Sequence, residues 1–358
     1  KKYLGASKFS FAGHLPLQGI YENIFDSTYL VLQKSVQLGA STLIVLYVFY
    51  LAIEMALKSI HYGPDDGFMQ DFSKDRVFPI INDNPAIADQ VLNTNTALLK
   101  RIGRASVYWR GLQTSSKVAS IDADAVFFDE FDIVKQDISK EARDRLEHSR
   151  FGQEVYASKV TIPGYGVNGL FQDTNQNHWK IRCRCGHWSE LTERFPEIFK
   201  EKGDRVYFFC EKCDRELDPE KGKWVEKHPG REKTGYLLSK LNFSFKVGKE
   251  QKTIARQAFD EWTGAKTLKE RTRVRRSIAG IPYAGSMQRV TDELLDTLHT
   301  DCEFMTSHPG PCYMGVDVGD LLYPVIGHPT GWGDQLQLHY LSPVDSFEEL
   351  DKLMLIHN

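Results

Sequence analysis

The chain has little of what would give its role away by composition. Its 45 Lys+Arg nearly balance 48 Asp+Glu, for a formal net charge of −3. No broad field of one sign is available to gather nucleic acid, so any such contact must come from a local patch. The longest apolar run, residues 43–53, is closed by Glu54. It is too short to span a bilayer and too far from the N-terminus for a signal h-region, so it is expected as a buried helix and not a membrane element. Internal repeats and low-complexity tracts are missing, which excludes solenoid architectures. The sequence opens at Lys1 without methionine and reads as trimmed. Cysteines number only six in 358 residues, and four of them fall in two close pairs. In an intracellular chain that pattern suggests metal rather than disulfides.

The length allows two domains, each with its own core. Residues 28–33, 59–63, 104–111, 125–128 and 154–162 read as strands. The 125–128 run is apolar throughout, as a parallel strand buried on both faces requires. Residues 40–58 and 71–95 have helical spacing, and 139–149 reads as an exposed, charge-rich helix. Strands alternating with helices predict an α/β fold with a doubly wound parallel sheet. The alternation breaks over 178–225, expected as an insertion, and 226–247 is expected to return to the sheet. Residues 248–310 read as a helical linker whose 266–276 stretch, KTLKERTRVRR, is strongly basic. That stretch suits either DNA phosphates or a solvated helix face. A second domain is expected over 311–358, with strands at 312–318, 321–326 and 335–341 and a helix at 346–355.

Two segments carry chemistry. Residues 34–42 read KSVQLGAST, and 122–132 read DADAVFFDEFD. A Gly-Ser-Thr turn between strand and helix offers backbone N–H groups and hydroxyls to phosphate and metal. An apolar strand ending in Asp-Glu places Asp129 to hold Mg²⁺ and Glu130 to orient an attacking water. The usual phosphate loop has lysine directly after its second glycine, and here Ala40 stands there. Lys34, at the front of the loop, is the cation that folds back over the phosphates. Ser35, Gly39 and Ala40 line the loop, Ser41 takes the Mg²⁺ position, and Thr42 adds a second hydroxyl. One of Arg101, Arg104 and Arg110 is a candidate arginine finger.

Cys183 and Cys185, with Cys210 and Cys213 after 24 intervening residues, form two knuckles suited to four-thiolate Zn²⁺. His187 is an alternative ligand. Because four protein ligands close the shell, such a zinc is structural.

In order, these segments resemble the large terminase subunit of tailed phages, and its GpA-type branch most closely. That branch carries its lysine at the front of a KSxRxGxS-like loop, matched here from Lys34 to Ser41 with Gln37 where arginine is commoner. Residues 15–18, LPLQ, resemble the segment whose glutamine, here Gln18, contacts adenine. Residues 71–81, DFSKDRVFPII, resemble the stretch after the second strand. Residues 158–166, SKVTIPGYG, resemble the coupling motif, with Ser158 and Thr161 in its hydroxyl positions and Lys159-Val160 in place of Thr-Pro. Residues 175–179 and the cysteine pair after them resemble the family's SDQRHW–CPHC region.

The resemblance covers roughly residues 10–330. It implies an ASCE/RecA-like P-loop ATPase core over 1–177 and 226–247, a zinc ribbon over 178–225, and the first part of an RNase H-like nuclease from 311. It implies ATP with Mg²⁺ or Mn²⁺, and double-stranded DNA, a portal protein and a small terminase subunit as partners. It further implies a homo-oligomeric ring on the procapsid, acting in the host cytoplasm. Asp317 in YMGVDVGD would bind the nuclease metals, with Asp320 a weaker candidate. The sequence stops before the strand that should bring the second aspartate, so these residues alone are expected not to cut DNA. Two rivals remain at this point: a superfamily 2-like helicase or other nucleic-acid ATPase, and a non-catalytic zinc-ribbon DNA-binding protein.

Overall fold

The computed structural model describes residues 3–4, 7–114, 121–283, 310–318, 321–329 and 336–357. The chain divides into two units, Lys1–Gln288 and Arg289–Asn358. The first begins with α1 (Leu15–Asn23), β1 (Tyr29–Lys34), α2 (Ala40–Glu54), β2 (Ser59–Gly63) and α3 (Asp66–Phe72). Then come β3 (Val91–Asn95), β4 (Leu99–Ile102), β5 (Ala105–Gly111), β6 (Ala125–Asp129), α4 (Gln136–Arg143), β7 (Gln153–Lys159) and α5 (Gly166–Gln172). β8 (Asn177–Arg182), β9 (Trp188–Ser189), β10 (Gly222–Glu226) and β11 (Thr234–Leu238) lead to α6 (Ile254–Gly264) and α7 (Leu268–Val274).

These strands form one sheet in the order β9-β8-β11-β1-β7-β6-β2-β5-β4-β3, with β10 also paired to β8. The pairings from β11 to β5 are all parallel. Antiparallel strands close both edges. Helices cover both faces of the parallel part, so the doubly wound expectation holds. On β6, Ala125 and Phe127 enter the core beneath α2, while Val126 and Phe128 enter the opposite core with Ile138 and Ala142 of α4. Helix α2 is apolar on all sides because it is buried, not because it meets lipid. Among the described residues no helix is long and apolar enough to cross a membrane.

Three expectations need correction. Residues 71–95 are not one helix. The chain is continuously helical from α3 through a π-turn, Ser73–Val77, into Phe78–Asn82; it then breaks, Pro85 opens a separate short helix, Pro85–Ala88, and the chain turns into β3. The helical period of 71–82 is therefore real, and the expectation failed beyond Asn82, where Pro85 starts its own first turn and cannot continue the helix before it. The helix near 139 runs from Gln136 to Arg143 and is amphipathic, with Ile138, Ser139 and Ala142 buried. Strand β4 was not foreseen.

The cysteine-bearing segment shares a core with the helices after the sheet. Trp179, Ile181, Cys183, Val206 and Cys210 pack with Ile254, Ala258, Val274 and Ile278. Much of the basic stretch is spent here. Arg273 pairs with Glu261 at 3.4 Å, Arg275 lies over Phe195, Trp262 and Tyr283, and Arg276 donates to the Tyr283 carbonyl at 3.1 Å.

The second unit has an antiparallel sheet, β12 (Tyr313–Val318), β13 (Leu322–Pro329) and β14 (Leu336–Leu341), followed by α8 (Phe347–His357). Leu322, Val344 and Leu350 form its core.

Candidate active site

The order of the sheet creates the site. β7 lies between β1 and β6, so the turn after β1 and the acids ending β6 open onto one crevice at the C-terminal ends of the strands, where open parallel sheets bind ligands. The turn is strained and pinned. Gln37 and Gly39 both have left-handed backbones, with φ of 59° and 85°. Gly39 is the N-cap of α2, so the first-turn amides of that helix face outward without intrahelical acceptors. Behind the turn, the Ser35 N–H donates to the Leu238 carbonyl at 2.8 Å, and its hydroxyl accepts from the Lys240 N–H at 2.9 Å. Gln33 donates to the Gly280 carbonyl at 2.8 Å. Gly280 must be glycine: its φ is +70°, and a Cβ there would meet the Ser35 nitrogen at 3.0 Å.

Lys34 ends β1 and is buried. Its Nζ donates to Glu130 Oε1 at 2.7 Å and lies 3.8 Å from Asp129 Oδ1. Burial alone would lower the lysine pKa, but Asp129 and Glu130 together outweigh it and hold the ammonium above its ordinary value. Asp129 is almost fully buried. Burial pushes its carboxyl up, but Lys34, the Ser41 hydroxyl and the Glu130 N–H pull harder and keep it ionised. Glu130 stands in the left-handed region, at φ 53° and ψ 44°. A non-glycine residue there stores on the order of 1 kcal/mol of strain, held by the surrounding structure. His61 on β2 is fully buried, with Nε2 4.0 Å from Asp129 Oδ2, and burial presses its pKa down to about 4.

The resulting cavity holds about 280 Å³ and is lined by Lys34, residues 36–41, Arg76, Glu130 and Lys159. Helix-terminal amides and three cations make it an anion site. Ser41 and Asp129 provide a hydroxyl and a carboxylate, the donors a hard divalent cation takes.

Of the residues expected from sequence, Lys34, Gly39, Ala40, Ser41, Asp129 and Glu130 come together. Ser35 does not line the cavity; its polar groups anchor the turn to the sheet. Thr42 is also outside the lining. Gln18 donates to Glu22 Oε1 at 2.8 Å and does not line the cavity; from α1, Leu17 packs close to Gly39. Arg101, Arg104 and Arg110 do not line the cavity, and Arg110 lies over the Tyr108 ring. Arg76 and Lys159 do line it. Lys159 faces Lys34 across the parallel register of β1 and β7, a pairing that sequence order does not reveal.

Ser158 and Thr161 converge on a residue the sequence reading passed over, Asp132. It is buried in the loop that follows Glu130. One carboxylate oxygen accepts from the Thr161 N–H at 2.9 Å and its hydroxyl at 2.6 Å; the other accepts from the Val167 N–H at 2.8 Å. The Asp132 N–H donates to the Ser158 hydroxyl at 3.1 Å. The loop bearing the acids is thus tied to the segment entering α5.

Cys183, Cys185, Cys210 and Cys213 converge so that all four sulfurs lie within 4.8 Å of one another. The backbone N–H at His187 and the neighbouring thiols favour the Cys185 thiolate, whose pKa falls to about 7. Four converging thiols fit Zn²⁺. His187 is not in the cluster; its Nε2 pairs with Glu211 at 2.7 Å. In the second unit, Asp317 is exposed on β12 opposite Tyr323. No carboxylate cluster forms around it among the described residues, and Asp320 lies outside them.

Residues 13–230 match the profile of the phage terminase large subunit gpA, ATPase domain. The chain is 23% identical over 226 residues to a terminase large subunit of Enterobacteria phage P21, covering 55% of this chain and 35% of that protein. It therefore spans about a third of that relative's length. Among solved structures, it is similar to the HK97 bacteriophage large terminase, at 10% identity and a TM-score of 0.45, covering 97% of this chain and 66% of that one. It is also similar to the Thermus phage P74-26 large terminase ATPase domain, at 12% identity and a TM-score of 0.44, covering 73% and 92%. The profile takes in the phosphate turn, the Asp-Glu strand and the Ser158–Thr161 segment alike, and the chain belongs to the phage terminase large subunit gpA family, of which it carries the ATPase domain.

Proposed function

We propose that this chain hydrolyses ATP to drive double-stranded DNA into a procapsid. The observation that carries the reading is that Lys34, Ser41 and Glu130 line one cavity at the N-terminus of α2, with Asp129 buried behind them 3.8 Å from Lys34. Lys34 neutralises phosphate charge in place of the lysine that Ala40 displaces. Ser41 and Asp129 would hold Mg²⁺, which supplies charge neutralisation to the phosphates. Glu130 orients water against the γ-phosphate. Asp132, clamped by Thr161 and Val167, passes movement of the acid loop to the coupling segment and so toward DNA.

The cysteine cluster would hold Zn²⁺ as a structural ion. The motor would work as a homo-oligomeric ring with a portal protein and a small terminase subunit in the host cytoplasm. Asp317 would serve a metal-dependent nuclease; among the described residues no further carboxylates gather around it.

The test of the ATPase is steady-state ATP turnover by the parent, Lys34→Ala and Glu130→Gln. Loss of turnover in both variants is expected. Parental rates in both would refute the reading, and would favour a zinc-ribbon DNA-binding protein with a silent phosphate loop.

A further inference from the structure

The cavity holds two cations that neither the phosphate turn nor the Asp-Glu strand accounts for, Lys159 and Arg76, and only Arg76 carries a guanidinium fork. The turn from residue 35 to 42 contains no basic side chain: Gln37 and Ala40 stand where arginine and lysine are commoner. Lys34 is already engaged by Glu130 at 2.7 Å and by Asp129. An incoming triphosphate therefore needs more positive charge than Lys34, shared with two carboxylates, provides.

Arg76 supplies it. It lies on the π-helical turn Ser73–Val77, between α3 and the Phe78–Asn82 helix. A π-turn inserts one residue into the helical repeat and so redirects the side chains it carries; such turns gather at functional sites. Ser73 and Val77 of this turn are buried and fix it to the core, while Arg76 is exposed toward the cavity, which it lines beside Lys34, Gly39 and Glu130. Its guanidinium rests 6.0 Å from the centroid of the Phe72 ring. Among the described residues it has no carboxylate or carbonyl partner. Its charge already presses against Lys34, lowering the ammonium's affinity for its proton. Three like charges facing one cavity, one of them a five-donor fork without an acceptor, describe half of a bidentate phosphate contact.

We propose that Arg76 is a catalytic residue: a guanidinium supplied from the same subunit that binds the γ-phosphate oxygens most strongly as charge develops on them during transfer. This inference rests on the ATPase reading above. In the step, the water oxygen bonds to the γ-phosphorus. The bond from that phosphorus to the bridging oxygen breaks, and its electron pair leaves on ADP. The water proton passes to Glu130 and then to solvent, so ATP and water give ADP, phosphate and a proton. Arg76 takes no proton and forms no covalent bond. Its contribution is electrostatic, and larger in the transition state than in the ground state.

The test uses the full chain and compares the parent with Arg76→Gln and Arg76→Lys. Because the side chain is exposed, neither change threatens folding. For Arg76→Gln, kcat should fall at least about a hundredfold, at or below the range seen when arginine fingers are removed. ADP affinity, read by displacement of a fluorescent ADP, should stay within about threefold, because the contact strengthens only in the transition state. Binding of MgADP with aluminium fluoride, which mimics the transferring phosphoryl group, should be lost in parallel with kcat. Arg76→Lys should restore only a small part, since a point charge lacks the fork. Arg76→Gln turnover within threefold of the parent would overturn the proposal, as would a fall in kcat matched by an equal fall in ADP affinity. Turnover that survives Lys34→Ala and Glu130→Gln would instead sink the underlying ATPase reading. With those two variants silent and Arg76→Gln active, only the role of Arg76 fails.

Discussion

Replacing Asp132 by alanine removes the acceptor that joins the acid loop to the coupling segment. Three donors depend on it: the Thr161 N–H and hydroxyl at 2.9 and 2.6 Å, and the Val167 N–H at 2.8 Å. Val167 is fully buried, so its N–H would be left with neither acceptor nor water. That alone costs roughly 1–3 kcal/mol. The Thr161 groups are partly exposed and can turn to solvent, so each adds nearer the lower end, about 0.5–1 kcal/mol. Arg276 nearby, which burial already pushes toward losing its charge, would also lose the anion that opposes this shift. The expected destabilisation is about 3 kcal/mol. Asp132→Asn keeps one carbonyl oxygen and the shape, and should lose about half as much. Urea unfolding followed by far-UV circular dichroism measures the difference. ATP turnover should fall in both variants, because Glu130 lies two residues ahead of the clamp. A loss below about 1 kcal/mol in Asp132→Ala, with turnover unchanged, would refute the clamp.

Other outcomes follow from the same structure. Gly166→Ala should destabilise by at least about 1–2 kcal/mol, since the new Cβ takes a left-handed backbone and would meet Asp132 Oδ1 at 2.5 Å; thermal melting reads this directly, and a melting temperature equal to the parent's would refute it. Purified protein should carry about one zinc per chain by plasma emission, and a strong chelator should lower its melting temperature; zinc-free protein melting like the parent would remove the ribbon. His61→Leu should leave the urea midpoint at or above the parent's, because neither buried ring nitrogen has a hydrogen-bond partner among the described residues, and an apolar side chain of similar size removes that penalty. A loss of more than about 1 kcal/mol there would mean that the 4.0 Å approach of His61 Nε2 to Asp129 is itself stabilising.

The reach of the sequence can be judged residue by residue. The Lys34–Ser41 turn and the Asp129-Glu130 pair were legible because each is local: a strand, a turn permitted by glycine, and an apolar run ending in acids. The four cysteines were legible for the same reason, since ligand spacing is a property of short knuckles. Ser35 was misread. It was expected in the lining of the nucleotide loop, yet its hydroxyl accepts from Lys240, 205 residues away. Gln18 was likewise expected at the base, yet it spends its amide on Glu22, one helical turn along α1. The 71–95 segment looked like one helix because its helical period is real as far as Asn82 and a short helix resumes at Pro85.

Composition and local pattern by themselves determined an alternating α/β chain with a phosphate turn, a pair of acids and a thiol cluster, because dihedral preferences and side-chain periodicity act over a few neighbours. Tertiary structure alone decided which cations join that turn. Lys159 meets Lys34 only through the register of two parallel strands 125 positions apart, and Arg76 reaches the cavity from a π-turn. Asp132 became a clamp only when α5 returned to the sheet beside it. Charge convergence of this kind depends on distances through space, and these are set when the separate strands pair and their helices pack.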